Sequence, residues 1–483
     1  MTKKTVERSM INAISGSFRD PSSRVYAVDA PDKKGRAIYR GVDSETFENF
    51  QKLQAEPFYK QLENENRVVK TTLCAPADPV AKEILEAGWA GVMRHEPVSL
   101  VSYSYEWSFA MLRRAALLHL RILTDALEAG WTVKDSTPYN IQFEGTAPVF
   151  IDIPSFVPWQ EGEPWVAYRQ FCCCFLTPLM MRSHLGINHL PLLRSYLDGI
   201  PPVEAANYFR GFSRFKRGVA SHIMLPARVE RRIEARERDA VPAQDRSQRK
   251  VSRKYVLALV ESVTRLVKSL SVNIEHTDWS EYDKTHTYDD DEFQAKKGFV
   301  QEFVQEKKPS CLMDIGCNTG TFSKIAAEHA DLVIAADGDH DAVQKLFMHE
   351  STHSAHNNIL PLVLDLSNVS PNQGWAGKER SSFDSRANPD AILVLALVHH
   401  IRISANIPMA LFLDWLRSFN CDIVIEFVDR NDEMVVKLLQ NKTEQYLDYS
   451  RESFERELQE RFKVRASKEL KGGKRVIYHT EPL

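Results

Sequence analysis

The sequence has only seven cysteines among 483 residues, and Cys172, Cys173 and Cys174 are consecutive. Neighbouring cysteines rarely suit a disulfide framework, and no doubled C-x-x-C spacing suggests a metal site. A reducing, cytoplasmic setting is expected, with the triple buried in a helix as small apolar residues. Excess positive charge is lacking too. Sixty-two Lys and Arg face 65 Asp and Glu, a formal net charge of −3, which argues against a dedicated nucleic-acid binder. No apolar run approaches the roughly 20 residues of a bilayer span. The opening "MTKKTVERSMINAISG" has charges but no apolar core, so it does not read as a secretory signal. Internal repeats and low-complexity tracts are absent.

What is present is an ordinary globular composition, 43% hydrophobic and 26% charged. At about 150 residues per domain, the length suggests two to three domains. The first part mixes strand-like and helix-like segments. "RVYAV" and "RAIYRGV" alternate like two strands around a turn-rich connection. "SFAMLRRAALLHLRILTDALEAG" reads as a long amphipathic helix, capped by Ser108 and ended by Gly130. From Arg228 to Lys254 the chain is dense in arginine, and a solvated helix and linker are expected. Beyond about residue 276, short apolar runs recur between helical stretches: "SCLMDI", "DLVIAAD", "ILPLVLDL", "DAILVLAL" and "CDIVIEFV". Such runs indicate a parallel sheet covered on both faces. "RFKVRASKEL" and "KRVIYHT" add a hairpin through "KGGK".

In "LMDIGCNTG", Asp314 closes a strand and Gly316 and Gly320 occupy the turn before a helix. Glycines there let the backbone bend sharply and approach a ligand. Asp337 ends the next strand, where a carboxylate can accept from both ribose hydroxyls. Asn318 takes the middle position of a dinucleotide fingerprint, which departs from the nicotinamide pattern. Residues 276–483 resemble the class I S-adenosylmethionine-dependent methyltransferases. The resemblance implies a Rossmann-like seven-stranded sheet. It also implies that Asp314, Gly316, Cys317, Asn318 and Gly320 hold the methionine part of the cofactor. Asp337 would bind the ribose, and Asp365 and Leu395 would flank the adenine end. On the rim that follows, His399, His400 or Glu426 can take a proton from an acceptor, although many methyl transfers need no strong base. Ahead of the first strand, Trp279, Tyr282, Tyr288 and Phe293 stand among many charges, and either a lid carrying Tyr288 or Lys297 or a plain amphipathic helix on the sheet is expected.

A second chemistry is written in "VKDSTPYNIQFEGTAPVFIDI". Asp135, Asn140 and Asp152 have the order and spacing of a kinase base and two magnesium ligands. Residues 12–220 resemble a kinase-like α+β fold, closer to aminoglycoside phosphotransferases than to protein kinases. The departures are plain: Arg40 stands where the strand lysine belongs, Ile153-Pro154 replaces Phe-Gly, and Gly16 alone remains of the glycine-rich loop. "GSFRDPS", "YEWSF", "KDSTPYNIQF", "WVAYRQF" and "DIGCNTGTFS" together resemble bacterial two-part methyltransferases labelled NoeA-like.

The expected organisation is therefore a kinase-like unit over 1–227, a basic helical linker over 228–275 and a methyltransferase unit over 276–483. The expected activity is methyl transfer to an oxygen or nitrogen of a small-molecule or sugar-like acceptor. ATP and Mg2+ enter only if the front site is live. A bifunctional kinase–methyltransferase, an RNA methyltransferase using the Arg228–Lys254 surface, and a non-catalytic adaptor stand as alternatives.

Overall fold

The computed structural model describes residues 11–29, 36–238, 250–273, 290–354, 357–440, 442 and 446–483. Its front part is built on a five-stranded antiparallel sheet. The strands are β1 (Asn12–Ala13), β2 (Ser23–Asp29), β3 (Arg36–Val42), β4 (Thr71–Leu73) and β5 (Gly91–His95), in the order β1-β2-β3-β5-β4. The two strands expected from the alternating segments are β2 and β3, and they pair directly. The long helix runs from Phe109 to Glu128. Ser108 caps it by accepting from the Met111 amide at 3.4 Å, and Gly130 leaves it at φ +81°. Strands β6 (Trp131–Val133), β7 (Ile141–Glu144), β8 (Ala147–Phe150) and β9 (Phe156–Pro158) follow, with β7 and β8 forming a hairpin.

Three expectations for this part need correction. "ISGSFRDPSS" forms a 3-10 turn over Ser15–Arg19 rather than a phosphate-cradling strand loop. A Cβ on Gly16 would lie 2.5 Å from the Glu379 carbonyl, so that glycine serves close packing. "EPVSLVSYSYEWSF", whose sequence resembles the strand and hinge that contact adenine in kinases, carries a 3-10 turn at Ser104–Glu106 and no strand. Finally, the expected boundary at residue 227 falls inside the Leu225–Arg238 helix. The linker's second half is a helix over Arg253–Ser269 that buries Val256, Val260, Val263 and Val267 against the long helix. It belongs to the front core. Residues 239–249 of the arginine-rich stretch lie outside the described residues. The three adjacent cysteines are buried in a one-turn π-helix, Cys172–Leu176, and burial pushes all three thiols up.

The back part holds seven strands: β10 (Cys311–Ile315), β11 (Leu332–Asp337), β12 (Ile359–Val363), β13 (Ala391–Val394), β14 (Asp422–Val428), β15 (Phe462–Glu469) and β16 (Arg475–Pro482). Their order is β12-β11-β10-β13-β14-β16-β15. The first five are parallel, and β16 runs antiparallel between β14 and β15. The central strands are fully buried, which is why they read as unbroken apolar runs.

The two parts share one hydrophobic cluster, reaching from Trp107 and the long helix to Met313 and Phe347. Polar contacts fix the docking. Glu106 is 1% exposed and pairs with Arg386. Arg182 meets Asp341 at 3.0 Å, and the Phe109 amide donates to His340 Nε2 at 3.0 Å. The β7–β8 turn rests on Asn357, whose Nδ2 donates to the Glu144 carbonyl at 2.8 Å. Gly145, at φ +57°, allows that approach, because a Cβ there would lie 1.9 Å from the Asn357 carbonyl oxygen. Gly145→Ala is expected to destabilise the protein by about 2 kcal/mol, read as a lower urea midpoint at unchanged slope.

Candidate active site

The loop after β10 turns back on itself. Gly316, Asn318 and Gly320 all have positive φ, at +76°, +51° and +81°. A Cβ on Gly320 would sit 2.5 Å from Leu346, and one on Gly316 would sit 3.2 Å from Leu397. The backbone is therefore pressed between the His340–His353 helix, which carries Leu346, and the turn after β13. Asp314 is buried and accepts from Ser323 Oγ at 2.6 Å. Burial raises its carboxyl to about 6, helped by nearby Asp337 and opposed by the Ser323 bond. Asp337 accepts from the Asn318 amide and the Asp339 amide, each at 2.8 Å. Burial raises its carboxyl as well. A Cβ on Gly338 next to it would make ordinary van der Waals contact, 3.8 Å from the Leu364 carbonyl oxygen. Cys317 is buried with its thiol pushed up by burial, and Leu395 is buried in the same apolar cluster. Asp365 lies just past β12, exposed, with Oδ1 accepting from the Ser367 amide at 2.9 Å and hydroxyl at 2.6 Å.

This donor set fits S-adenosylmethionine. Paired carboxylates suit hydroxyls and an ammonium, and the pinched turn leaves room for backbone contact. The acids close neighbouring parallel strands at their carboxyl ends, where open α/β sheets bind ligands.

The rim residues are less uniform. His399 is 2% exposed, and among the described residues its Nδ1 has no hydrogen-bond partner. Burial, then His400, holds its imidazole well below the usual range. His400 is partly exposed, packs with its ring centre 4.1 Å from that of His399 at a 44° tilt, and is lowered by burial to about 4. A neutral His400 can accept a proton at physiological pH. Glu426 does not suit that task. It is fully buried, and its carboxylate takes Lys296 Nζ at 2.6 Å, the Ala396 amide at 2.8 Å and Arg475 at 3.4 Å. These donors, two of them cations, occupy the oxygens that an acceptor's proton would have to reach. Lys296 is the residue that sequence reading missed. It lies on the Asp290–Lys307 helix, 2% exposed, with its ammonium 4.8 Å from the Phe322 ring. Lys297, the residue favoured for a lid, stacks on Phe293 at 4.4 Å instead. Trp279, Tyr282 and Tyr288 lie outside the described residues.

In the front part, β3 and the loop after β8 bring three predicted residues together. Arg40 Nη1 meets Asp152 Oδ1 at 2.5 Å, and Asn140 Nδ2 donates to Asp152 Oδ2 at 3.2 Å. Asp135 stands near them. Burial raises its carboxyl and Asp152 adds to the rise. Its amide donates to Ser155 Oγ at 3.1 Å. From the back part, Arg380 lies 3.8 Å over the Tyr139 ring in the same loop. The predicted metal pair, Asn140 and Asp152, does not fit a magnesium ion in this arrangement. Both oxygens of Asp152 are engaged, one by a cation, whereas Mg2+ needs an octahedron of oxygen donors. Among the described residues, no group of three or more His, Cys, Asp or Glu is arranged to hold a metal.

Strand order decides the class of the back part. A nicotinamide-type sheet keeps its strands parallel in a 3-2-1-4-5-6 order. Here the last strand is inserted, antiparallel, between the fifth and sixth. That is the fold of the class I S-adenosylmethionine-dependent methyltransferases. No protein-family model matches the chain. Nodulation protein NoeA of Rhizobium meliloti (strain 1021) is 34% identical over 470 residues, covering 97% of this chain and 96% of the relative. The chain belongs to the NoeA family.

Among solved structures, the N-methyltransferase NodS from Bradyrhizobium japonicum WM9 with S-adenosyl-l-homocysteine is 12% identical. It covers 43% of this chain and 99% of its own, at a TM-score of 0.31. Magnesium protoporphyrin IX methyltransferase (ChlM) from Synechocystis PCC 6803 is also 12% identical. It covers 44% of this chain and 98% of its own, at a TM-score of 0.29.

Proposed function

We propose that the protein transfers a methyl group from S-adenosylmethionine to an oxygen or nitrogen of a small-molecule or sugar-like acceptor. The observation that carries this reading is the pinched glycine turn between the buried Asp314 and the half-buried Asp337. Asp314 and the Gly316–Gly320 backbone would hold the methionine part, Asp337 the ribose, and Asp365 the adenine end. When bound, the cofactor supplies an electrophilic methyl on a positively charged sulfur. The chain's work is then to orient the acceptor in line with that methyl. His400 is the partly exposed rim group placed to take the acceptor proton where one must leave, although its burial makes it a weak base suited to a transfer that needs little proton abstraction. The NoeA relative is named as a nodulation protein, which is compatible with a small-molecule acceptor. The net charge of −3 favours that class over RNA. The test is release of S-adenosylhomocysteine with a panel of hydroxylated and aminated glycan fragments. Asp337→Ala should remove both cofactor binding and product, and binding without product from any acceptor would leave the adaptor reading.

We read the front unit as a kinase-like module that binds the acceptor or a nucleotide without turning over ATP. Arg40 supplies a fixed positive charge to Asp152 where a live kinase would place a metal. Magnesium-dependent ATP turnover is therefore expected to be absent in the wild-type protein. Turnover that Asp152→Ala abolishes would instead establish the bifunctional enzyme.

A further inference from the structure

One surface lies far from both sites in character. From Asn207 to Val229 the chain carries Arg210, Arg214, Lys216, Arg217 and Arg228 and no carboxylate. This is a local concentration of positive charge on a chain of net charge −3. Arg210, Arg214 and Lys216 donate to backbone carbonyls of Asn207, Phe209 and His184, which leaves their charge uncompensated. Among the described residues, no carboxylate pairs with any of the five cations.

The same segment exposes large apolar side chains. Gly211–Phe215 is a 3-10 turn, in which residues three apart stand on the same side. Phe212 and Phe215 are such a pair, 91% and 83% exposed. Leu225 and Val229 are also exposed, on the helix that continues from the Ala220–Met224 π-turn packed beside it. Rings this bare are not core residues that merely reach the surface.

We infer that this basic aromatic turn is a docking surface for an anionic membrane leaflet. Two rings on one protruding turn can enter the boundary between headgroups and acyl chains, while the surrounding cations meet anionic headgroups. Base stacking requires rings set along a cationic groove, whereas these rings stand clear of any wall. A stable protein interface needs a broad complementary patch, and the turn offers a tip.

The experiment is co-sedimentation of the full chain with vesicles of phosphatidylcholine alone and of phosphatidylcholine mixed with phosphatidylglycerol. Binding is expected only to the mixed vesicles and should weaken with added salt. Phe212→Ser/Phe215→Ser should lower the partition coefficient by about tenfold or more. Arg214→Gln/Lys216→Gln should lower it by a similar factor, about tenfold. These side chains are exposed, so an unchanged melting temperature and unchanged S-adenosylmethionine binding would show that the variants fold. The inference is overturned if the wild-type chain fails to sediment with mixed vesicles at low salt, or if the phenylalanine variant binds them as wild type does. Tighter, phenylalanine-dependent binding to polyuridylate than to vesicles would reassign the surface to single-stranded RNA.

Discussion

Asp314→Asn is expected to weaken S-adenosylmethionine binding by about ten- to a hundredfold while making the cofactor-free protein more stable at neutral pH. The two effects share one cause. The carboxyl of Asp314 is buried, and burial lifts it from 3.8 to about 6. Its folded value lies above its unfolded one, so the folded state holds the proton more tightly. The stability this contributes is fully present below about pH 4 and is lost as pH rises through about 6. At pH 7 the ionised carboxylate therefore costs the fold up to about 3 kcal/mol. Asparagine keeps an acceptor for Ser323 Oγ, which lies 2.6 Å from the carboxylate, and carries no charge. Urea unfolding at pH 7 should show the gain.

The loss of binding follows from the cofactor's ammonium and sulfonium charges, which an anionic Asp314 attracts and an amide does not. The wild-type dissociation constant should rise about tenfold per unit as pH falls below about 6, and the Asp314→Asn constant should not. Calorimetric titration across that range decides it. A pH-independent wild-type affinity, or a variant that binds as well as wild type, would remove Asp314 from the cofactor site.

Much of the back part was legible because its physics is local. Parallel strands buried on both faces must be apolar throughout, so five runs gave five strands, and the acids at their ends stood out against them. The front trio of Arg40, Asn140 and Asp152 was legible by spacing, although only the fold revealed that the arginine occupies the aspartate. Three features were less accessible. The Arg253–Ser269 helix had a readable signal in Val256, Val260, Val263 and Val267, but the arginine density just before it drew the reading toward a solvated linker. Docking of the two parts depends on long-range partners such as Glu106 and Arg386, which no local pattern reveals. In "QAKKGF" either lysine can face inward, and the choice between Lys296 and Lys297 rests on how the helix sits over Phe322 and Phe293.

That choice matters because Lys296 and Glu426 are expected to behave as one unit. Their charged atoms are 2.6 Å apart at 2% and 0% side-chain exposure. Removing one partner from a buried pair costs up to about 3–5 kcal/mol, and Arg475, 3.4 Å from Glu426, offsets part of that when Lys296 is lost. Lys296→Met alone should therefore destabilise the protein by that order. Glu426→Gln still accepts the Ala396 amide, now 2.8 Å from the carboxylate, and should be milder. With both changes the stranded charge disappears, and at least half of the Lys296→Met loss should return. A double-mutant cycle by urea unfolding should show a coupling above about 1 kcal/mol; additive effects would mean that the pair is not the unit described here. The same variants separate positioning from proton transfer. Glu426 holds the turn at Ala396 just after β13, so Glu426→Gln should change KM for the acceptor more than kcat. A general base replaced by an amide would instead lose about a hundredfold or more in kcat, together with the acid limb of its pH profile. That result would restore Glu426 as the proton acceptor and reduce His400 to a neighbour.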